Sequence, residues 1–168
     1  MADSSPPLKK GYSIGFIAGC FDLIHPGYIA AFKEARSACD YLVVGLHNDP
    51  SVERPEKAKP VLSLQDRKET LLAIRYVDDV KTYDTEEDLL SILKEDFQVF
   101  IPIPRTLEKR RPLALKKPLI NVRFLGDDYK DRTDYTGHGL DIDIHFLSRG
   151  HGWSATSLRE KICDSHKT

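Results

Sequence analysis

An apolar run that ends at a glycine and passes straight into a helical pattern is the feature that most limits what this chain can become. Tyr12-Ser-Ile-Gly-Phe-Ile-Ala18 is apolar enough for a buried strand. It leads through Gly19-Cys-Phe-Asp-Leu-Ile-His25-Pro-Gly27 into Ile29, Ala30, Phe32, Ala35 and Ala38, which recur at helical spacing. Pro26 suits a first helical turn, where its missing N–H has no partner to lose. Tyr41-Leu-Val-Val-Gly-Leu46 is again apolar throughout, unlike the one-sided pattern of a surface hairpin. Strand, crossover helix and second strand predict a right-handed βαβ unit in a parallel sheet.

The alternation continues. Residues 47–62 are polar, with Pro50, Pro55 and Pro60, and predict a loop. Ser63 caps a helix that runs to about Ile74, with Asp66 as its partner three residues on. Residues 77–83 predict a short strand, and Thr85 with Asp88 forms a second capping box before Leu89, Leu90, Ile92 and Leu93. Residues 99–103 and 121–125 predict strands, and 126–139 a long loop. Residues 141–147 alternate polar and apolar, as a half-exposed strand does. Asp141, Asp143 and His145 then share one face, which reads as a solvated edge rather than a metal site. Ser154 starts the last helix. The fold class expected is α/β, a Rossmann-like doubly wound parallel sheet with helices on both faces.

The length of 168 residues admits one domain, taken as residues 12–168 after a flexible leader at 1–11. Between Pro104 and Pro118 lie Arg105, Lys109, Arg110, Arg111, Lys116 and Lys117, which read as a basic insertion at about 104–119. Elsewhere charge is balanced: 25 Lys and Arg against 26 Asp and Glu give a formal net charge of -1. Such a chain has no global field for nucleic acid or an anionic membrane, so any anion must be held by a local constellation. No apolar run reaches the roughly 18 residues of a membrane span. The first ten residues lack the apolar core of a signal peptide. Cys20, Cys39 and Cys163 have no ligand spacing, against both a disulfide framework and a Cys-based zinc site. The expectation is a cytoplasmic protein with reduced thiols, no protein-bound metal, and no nucleic-acid or membrane partner.

Two segments carry chemistry. Ligands of open parallel sheets sit at the carboxyl ends of strands, where a helix N-terminus offers N–H groups and a positive dipole end. His25 stands at such a place, as a phosphoryl donor or as a plain cap. The glycines match neither the dinucleotide fingerprint nor the Walker A loop. The second segment is Ser148-Arg-Gly-His-Gly-Trp-Ser-Ala-Thr-Ser-Leu-Arg159. Its hydroxyls, glycines and guanidinium at a helix start read as a polyphosphate cradle, against the plainer reading of an ordinary serine cap.

Together these segments resemble a known family. Gly19-Cys-Phe-Asp-Leu-Ile-His25-Pro-Gly27 resembles the G-x-F-D-x-x-H-x-G-H signature of the cytidylyltransferase-like nucleotidyltransferases. Arg149-Gly-His-Gly-Trp-Ser-Ala-Thr156 resembles their R-T-x-G-I-S-T-T. The likeness also takes in Asp40-Tyr-Leu-Val-Val44, Lys59-Pro-Val-Leu-Ser-Leu-Gln-Asp-Arg67, Arg75-Tyr-Val-Asp-Asp-Val80 and Gly126-Asp-Asp-Tyr129. These are six collinear matches between Tyr12 and Ile162. Within the family the chain resembles glycerol-3-phosphate cytidylyltransferase and the heptose-phosphate nucleotidyltransferases.

The resemblance implies transfer of CMP from CTP to a small phosphorylated, phosphonate or sugar-phosphate acceptor, with release of pyrophosphate. The alternatives are an adenylyltransferase using ATP and a catalytically weakened nucleotide-binding protein. Carried over by position, His25, Lys57, Arg149, Ser154 and Thr156 would act on the phosphates. Gly19, Cys20, Phe21, Gly27, Tyr28, Asp127, Asp128, Gly152 and Trp153 would complete the nucleotide site. Asp22, Lys59 and Arg75 would meet the acceptor. Mg²⁺ would be held mainly through the nucleotide phosphates. Arg75-Tyr76-Val77-Asp78 resembles a family segment near a dimer interface, which implies a homodimer. Three departures stand out. Tyr28 replaces the second His of the first signature, a phenol for an imidazole. Gly150 and Ala155 replace hydroxyl residues of the second signature. The basic insertion is the third.

Overall fold

The structure is a computed structural model, and it describes residues 13–94, 120–150 and 152–165. The elements run β1 (Ile14–Gly19), α1 (Pro26–Ser37), β2 (Tyr41–His47), α2 (Leu64–Leu72), β3 (Asp79–Tyr83), α3 (Glu86–Lys94), β4 (Ile120–Gly126), a 3₁₀ turn (Asp127–Tyr129), β5 (Asp143–Leu147) and α4 (Ala155–Asp164). The five strands form one sheet in the order β3-β2-β1-β4-β5, and every pairing is parallel.

The apolar runs of β1 and β2 are continuous because both faces of these strands are covered. Successive residues of β2 enter different cores, as the two-residue period of a strand requires. Leu42, Val44 and Leu46 join Phe32, Ala35 and Leu71 beneath α1 and α2. Tyr41 and Val43 join Ile14, Phe16, Leu89 and Leu93 beneath α3. Helices therefore lie on both faces, as expected. Phe32 is fully buried, and its truncation to Ala would cost about 3–5 kcal/mol.

Local signals set the helix starts. Ser63 Oγ accepts from Asp66 N at 3.1 Å. Thr85 and Asp88 form the full reciprocal box, with Thr85 N donating to Asp88 Oδ2 at 2.9 Å and Asp88 N to Thr85 Oγ1 at 3.1 Å. The boundaries differ in small ways. α2 ends two residues early, where Ile74 N turns back to Leu71 O at 3.0 Å. β3 starts two residues late, because Asp78 is used to cap β2: its Oδ2 accepts from Leu42 N at 2.8 Å.

β5 begins at Asp143, so Asp141 lies before the strand and the suspected Asp141–Asp143–His145 face does not form. His145 instead meets Glu34 of α1 at 3.1 Å and packs edge-on against Phe124. The leader at 1–11, the strand expected at 99–103 and the basic insertion at 104–119 lie outside the described residues. Among the described residues no helix is long and apolar enough to cross a membrane.

The strand order places the site. The chain winds outward from β1 to β2 and β3, then returns to the other side of β1 as β4. The junction of β1 and β4 is thus the point where the winding reverses, and ligands of such sheets bind at its carboxyl edge. Ile17 pairs with Phe124, so Gly19 and Gly126 end the two strands at the same level.

Candidate active site

His25 is the N-cap of α1. Its Nδ1 accepts from Tyr28 N at 3.3 Å. An accepting Nδ1 puts the neutral ring's proton on Nε2, which makes that nitrogen the donor of the ring. The ring is buried and lies parallel to Tyr28, with centroids 4.1 Å apart, and to Trp153 on α4's approach at 6.2 Å. Tyr28 and Trp153 therefore flank the imidazole, and α1 and α4 meet across it.

Phe21 has φ of 46°, the left-handed region that costs a non-glycine residue on the order of 1–3 kcal/mol. Burial of its ring against Tyr28 and Phe32, at 5.1 and 5.3 Å, holds it there. The ring also lies against Gly19, where a Cβ would stand 3.0 Å from it. Beside it, burial pushes the Cys20 thiol up, with the Arg67 guanidinium opposing. Burial likewise raises Tyr28, so this phenol stays neutral at physiological pH.

Asp22 is 2% exposed and saturated with partners. It accepts from Val61 N at 2.9 and 3.0 Å, from Leu62 N at 2.9 Å, and from the Arg159 guanidinium. Burial works to raise its pKa. The two backbone N–H groups and Arg159 outweigh burial and hold the carboxyl below its usual range. In this structure Asp22 ties the 48–62 loop and α4 to the first turn.

Arg67 was quoted in a matching segment above but given no role. It is fully buried, and it donates to Cys20 O at 2.9 Å, His47 O at 2.8 Å, Asn48 O at 2.6 Å and Leu62 O at 3.2 Å. It thereby sets the carboxyl ends of β1 and β2 against the following loop. Arg159, which also touches Lys59 O at 3.4 Å, was missed in the same way. An arginine inside a capped helix reads as a solvated face unless its distant partners are known.

At the other side of the junction, Arg149 N donates to Asp127 Oδ2 at 3.1 Å, and Arg149 Nη1 pairs with Asp128 Oδ2 at 3.2 Å. A Cβ on Gly126 would collide with this pair, standing 2.8 Å from Arg149 Nε. Ser154 caps α4 by accepting from Ser157 N at 3.0 Å, which leaves its O–H as a donor. Thr156 is exposed on the first turn, and Gly152 has φ of +68° on the approach. The structure thus brings Gly19, Cys20, His25, Gly27, Tyr28, Arg149, Trp153 and Ser154 to one edge, with Asp127 and Asp128 beside them.

Lys57 and Lys59 are exposed on the 48–62 loop. Lys59 lines an open cleft of about 310 Å³ with Asn48, Asp49 and Arg67. Arg75 is not brought to this edge. It follows the C-terminus of α2, near the start of β3, and lies over the Tyr76 ring at 5.8 Å. Its reading as an acceptor contact has no support within one chain, because α2 carries it to the opposite end of the sheet. Among the described residues no three His, Cys, Asp or Glu side chains gather as metal ligands.

The cytidylyltransferase-like family model matches residues 16–161, which span β1 to α4. The chain belongs to the cytidylyltransferase-like family. Curated relatives of this cytidylyltransferase-like chain include the bifunctional protein HldE of Bradyrhizobium sp. (strain ORS 278), 43% identical over 154 residues, which are 88% of this chain and 26% of that protein. HldE of Rhodopseudomonas palustris (strain BisB5) is 33% identical over 159 residues, 91% of this chain and 27% of that protein. The chain therefore spans about a quarter of the length of these relatives. Among solved structures, a lipopolysaccharide core biosynthesis protein from Thermoplasma volcanium GSS1 shares the fold. Its TM-score is 0.54 at 18% identity, covering 82% of this chain and 98% of that one.

Proposed function

We propose that this nucleotidyltransferase domain transfers a nucleotidyl group from a nucleoside triphosphate to a phosphorylated sugar or polyol, releasing pyrophosphate. The observation that carries the reading is His25: a capping imidazole with Nε2 as donor, at the strand junction, facing the N-terminus of α4. An oxygen of the acceptor phosphate attacks the α-phosphorus. The bond from that phosphorus to the bridging oxygen breaks, and pyrophosphate takes the electron pair. The attacking oxygen is already ionised, so catalysis is positioning and charge stabilisation. His25 Nε2 meets the charge that develops on the transferring phosphate. The Ser154 hydroxyl and the first N–H groups of α4 hold the leaving pyrophosphate. Lys57 and Lys59 approach the phosphates from the 48–62 loop. Mg²⁺ enters with the phosphates, which suits a site with few carboxylates to spare.

The donor we favour is ATP. Gly126-Asp-Asp-Tyr129 resembles the heptose-phosphate branch, and the HldE relatives point the same way. CTP is the second reading and rests on Arg149, because the ATP-using heptose branch that the chain resembles tends to lack that arginine. Asp128 engages that guanidinium here, which weakens the argument. Pyrophosphate release measured with Mg²⁺, each nucleotide and a panel of sugar and polyol phosphates decides between them. Release with CTP alone would overturn the ATP assignment, and nucleotide binding without release from any acceptor would favour a binding protein weakened at Tyr28. A homodimer that brings Arg75 to a partner's site is part of the proposal, and sedimentation tests it.

A further inference from the structure

Arg123 sits where a charge is hardest to keep. Val122 and Phe124 of β4 enter the core beneath α1, while Arg123 points to the face that α3 covers. It is 4% exposed, yet its Nε and Nη1 have no hydrogen-bond partner. Among the described residues no carboxylate lies within ion-pairing distance of it. Its guanidinium rests 5.5 Å from the Tyr135 ring, and Nη1 is 3.0 Å from where a Cβ on Gly137 would stand. Gly137 has φ of +81°, so the turn above Arg123 requires a glycine twice over, for conformation and for space. Unsatisfied buried donors lose their hydration without recompense, so a native site that keeps them calls for an explanation.

The neighbours supply one. Arg54 carries another buried orphan, its Nε, while its Nη2 reaches Glu86 Oε1 at 3.2 Å. The Arg54 and Glu86 side chains are each 38% exposed, and Glu86 also accepts from Thr136 Oγ1, between the Tyr135 and Gly137 that cover Arg123, so this half-exposed pair borders the buried guanidinium. Tyr83 ends β3 beside His47, with ring centroids 4.6 Å apart, and Arg67 joins the His47 carbonyl to that of Cys20 in the first signature turn. The cluster therefore adjoins the nucleotide site, on the α3 side of the sheet, opposite α1. It combines forked donors, a carboxylate acceptor and two aromatic rings. A bare anion would meet Glu86, and an apolar ligand would leave the orphans buried. Neighbouring hydroxyls suit all the parts, since each accepts from an arginine N–H and donates to a carboxylate, while the carbon face packs on a ring.

We infer that Arg123, Arg54 and Glu86, walled by Tyr83 and Tyr135, hold the hydroxyl-rich body of the acceptor, a sugar or polyol phosphate. The acceptor's phosphate then extends toward the turn at Cys20. This inference rests on the nucleotidyltransferase reading and adds the acceptor's recognition to it.

Calorimetry on the full chain tests it, with heptose 1-phosphate, mannose 1-phosphate and glycerol 3-phosphate as probes and ethyl phosphate as the hydroxyl-free control. Mg²⁺ with ATP or CTP is titrated separately. At least one hydroxylated phosphate binds tenfold tighter than ethyl phosphate. Arg123→Met and Glu86→Gln each weaken that binding at least tenfold and leave the nucleotide Kd within twofold. Glu86→Gln changes a half-exposed position and keeps the test decisive where Arg123→Met does not fold. Ethyl phosphate binding as tightly, or Glu86→Gln without effect, overturns the inference. Nucleotide binding without binding of any polyol phosphate overturns it alone. Failure of both nucleotide and polyol phosphates to bind overturns the nucleotidyltransferase reading with it.

Discussion

Arg159, on the second turn of α4, donates to the buried carboxylate of Asp22, 137 residues earlier in the turn after β1. The same carboxylate holds the backbone of Val61 and Leu62. One acidic side chain thus fixes the first turn, the lysine-bearing loop and the last helix relative to one another. Arg159→Met removes a charged hydrogen bond and is expected to cost about 1.5–3 kcal/mol. Because Lys59 O also rests on Arg159, the KM for substrate rises as well. Thermal unfolding and steady-state kinetics measure the two effects, and a variant with wild-type Tm and KM would refute the link.

The same carboxylate gives a pH signature. Asp22 is held below its unfolded value, so its stabilising contribution is complete above that value, near 4. It is lost as pH falls through the lower folded pKa. Asp22→Asn should therefore lower stability at pH 7 and flatten the acid limb of the stability curve. Denaturant unfolding from pH 7 down to pH 2 reads this directly; an acid limb of unchanged slope would contradict it.

His25→Ala should lower pyrophosphate release by about 10²–10³-fold, the effect of removing one preorganised donor. The fold should survive, since losing an N-cap costs only about 0.5–2 kcal/mol. Full turnover in a folded His25→Ala variant would remove His25 from the mechanism.

Tyr28 packs against His25 and Phe21 with a phenol that burial keeps neutral. Its hydroxyl is the only donor that Tyr28→Phe deletes. We expect turnover to fall about tenfold with Tm unchanged, and the wild-type rate to show no phenol ionisation below pH 10. A Tyr28→Phe variant as active as wild type would make Tyr28 a packing residue only.

Trp153 is the chain's sole tryptophan and lies 6.2 Å from His25, with Lys161 Nζ 5.1 Å over its ring. Its emission should change saturably as Mg²⁺ with ATP or CTP binds at the start of α4. An unaltered spectrum at saturating nucleotide, established by calorimetry, would place the nucleotide elsewhere.

How much of this was legible beforehand follows from the range of each interaction. The runs ending at Gly19 and Leu46 announced buried parallel strands, because only strands covered on both faces are apolar throughout. Ser63, Thr85, His25 and Ser154 marked helix starts, because a cap closes its hydrogen bond within three residues. The start of β5 was less legible, since alternation alone did not say that Asp141 precedes the strand.

Tertiary structure decided the rest. Arg67, Arg123 and Arg159 look alike in sequence, as long cations inside regular elements. One is satisfied by four carbonyls from the turn after β1, the end of β2 and the loop that follows it, one is buried with orphaned donors, and one clamps an aspartate at the far end of the chain. Arg75 ends up at the opposite edge of its own sheet because α2 carries the chain away from the site. A sequence determines local hydrogen bonds and hydrophobic period, which act over a few residues. The partners of a long charged side chain depend on which loops the strand order brings together, and that is settled only when β4 returns beside β1.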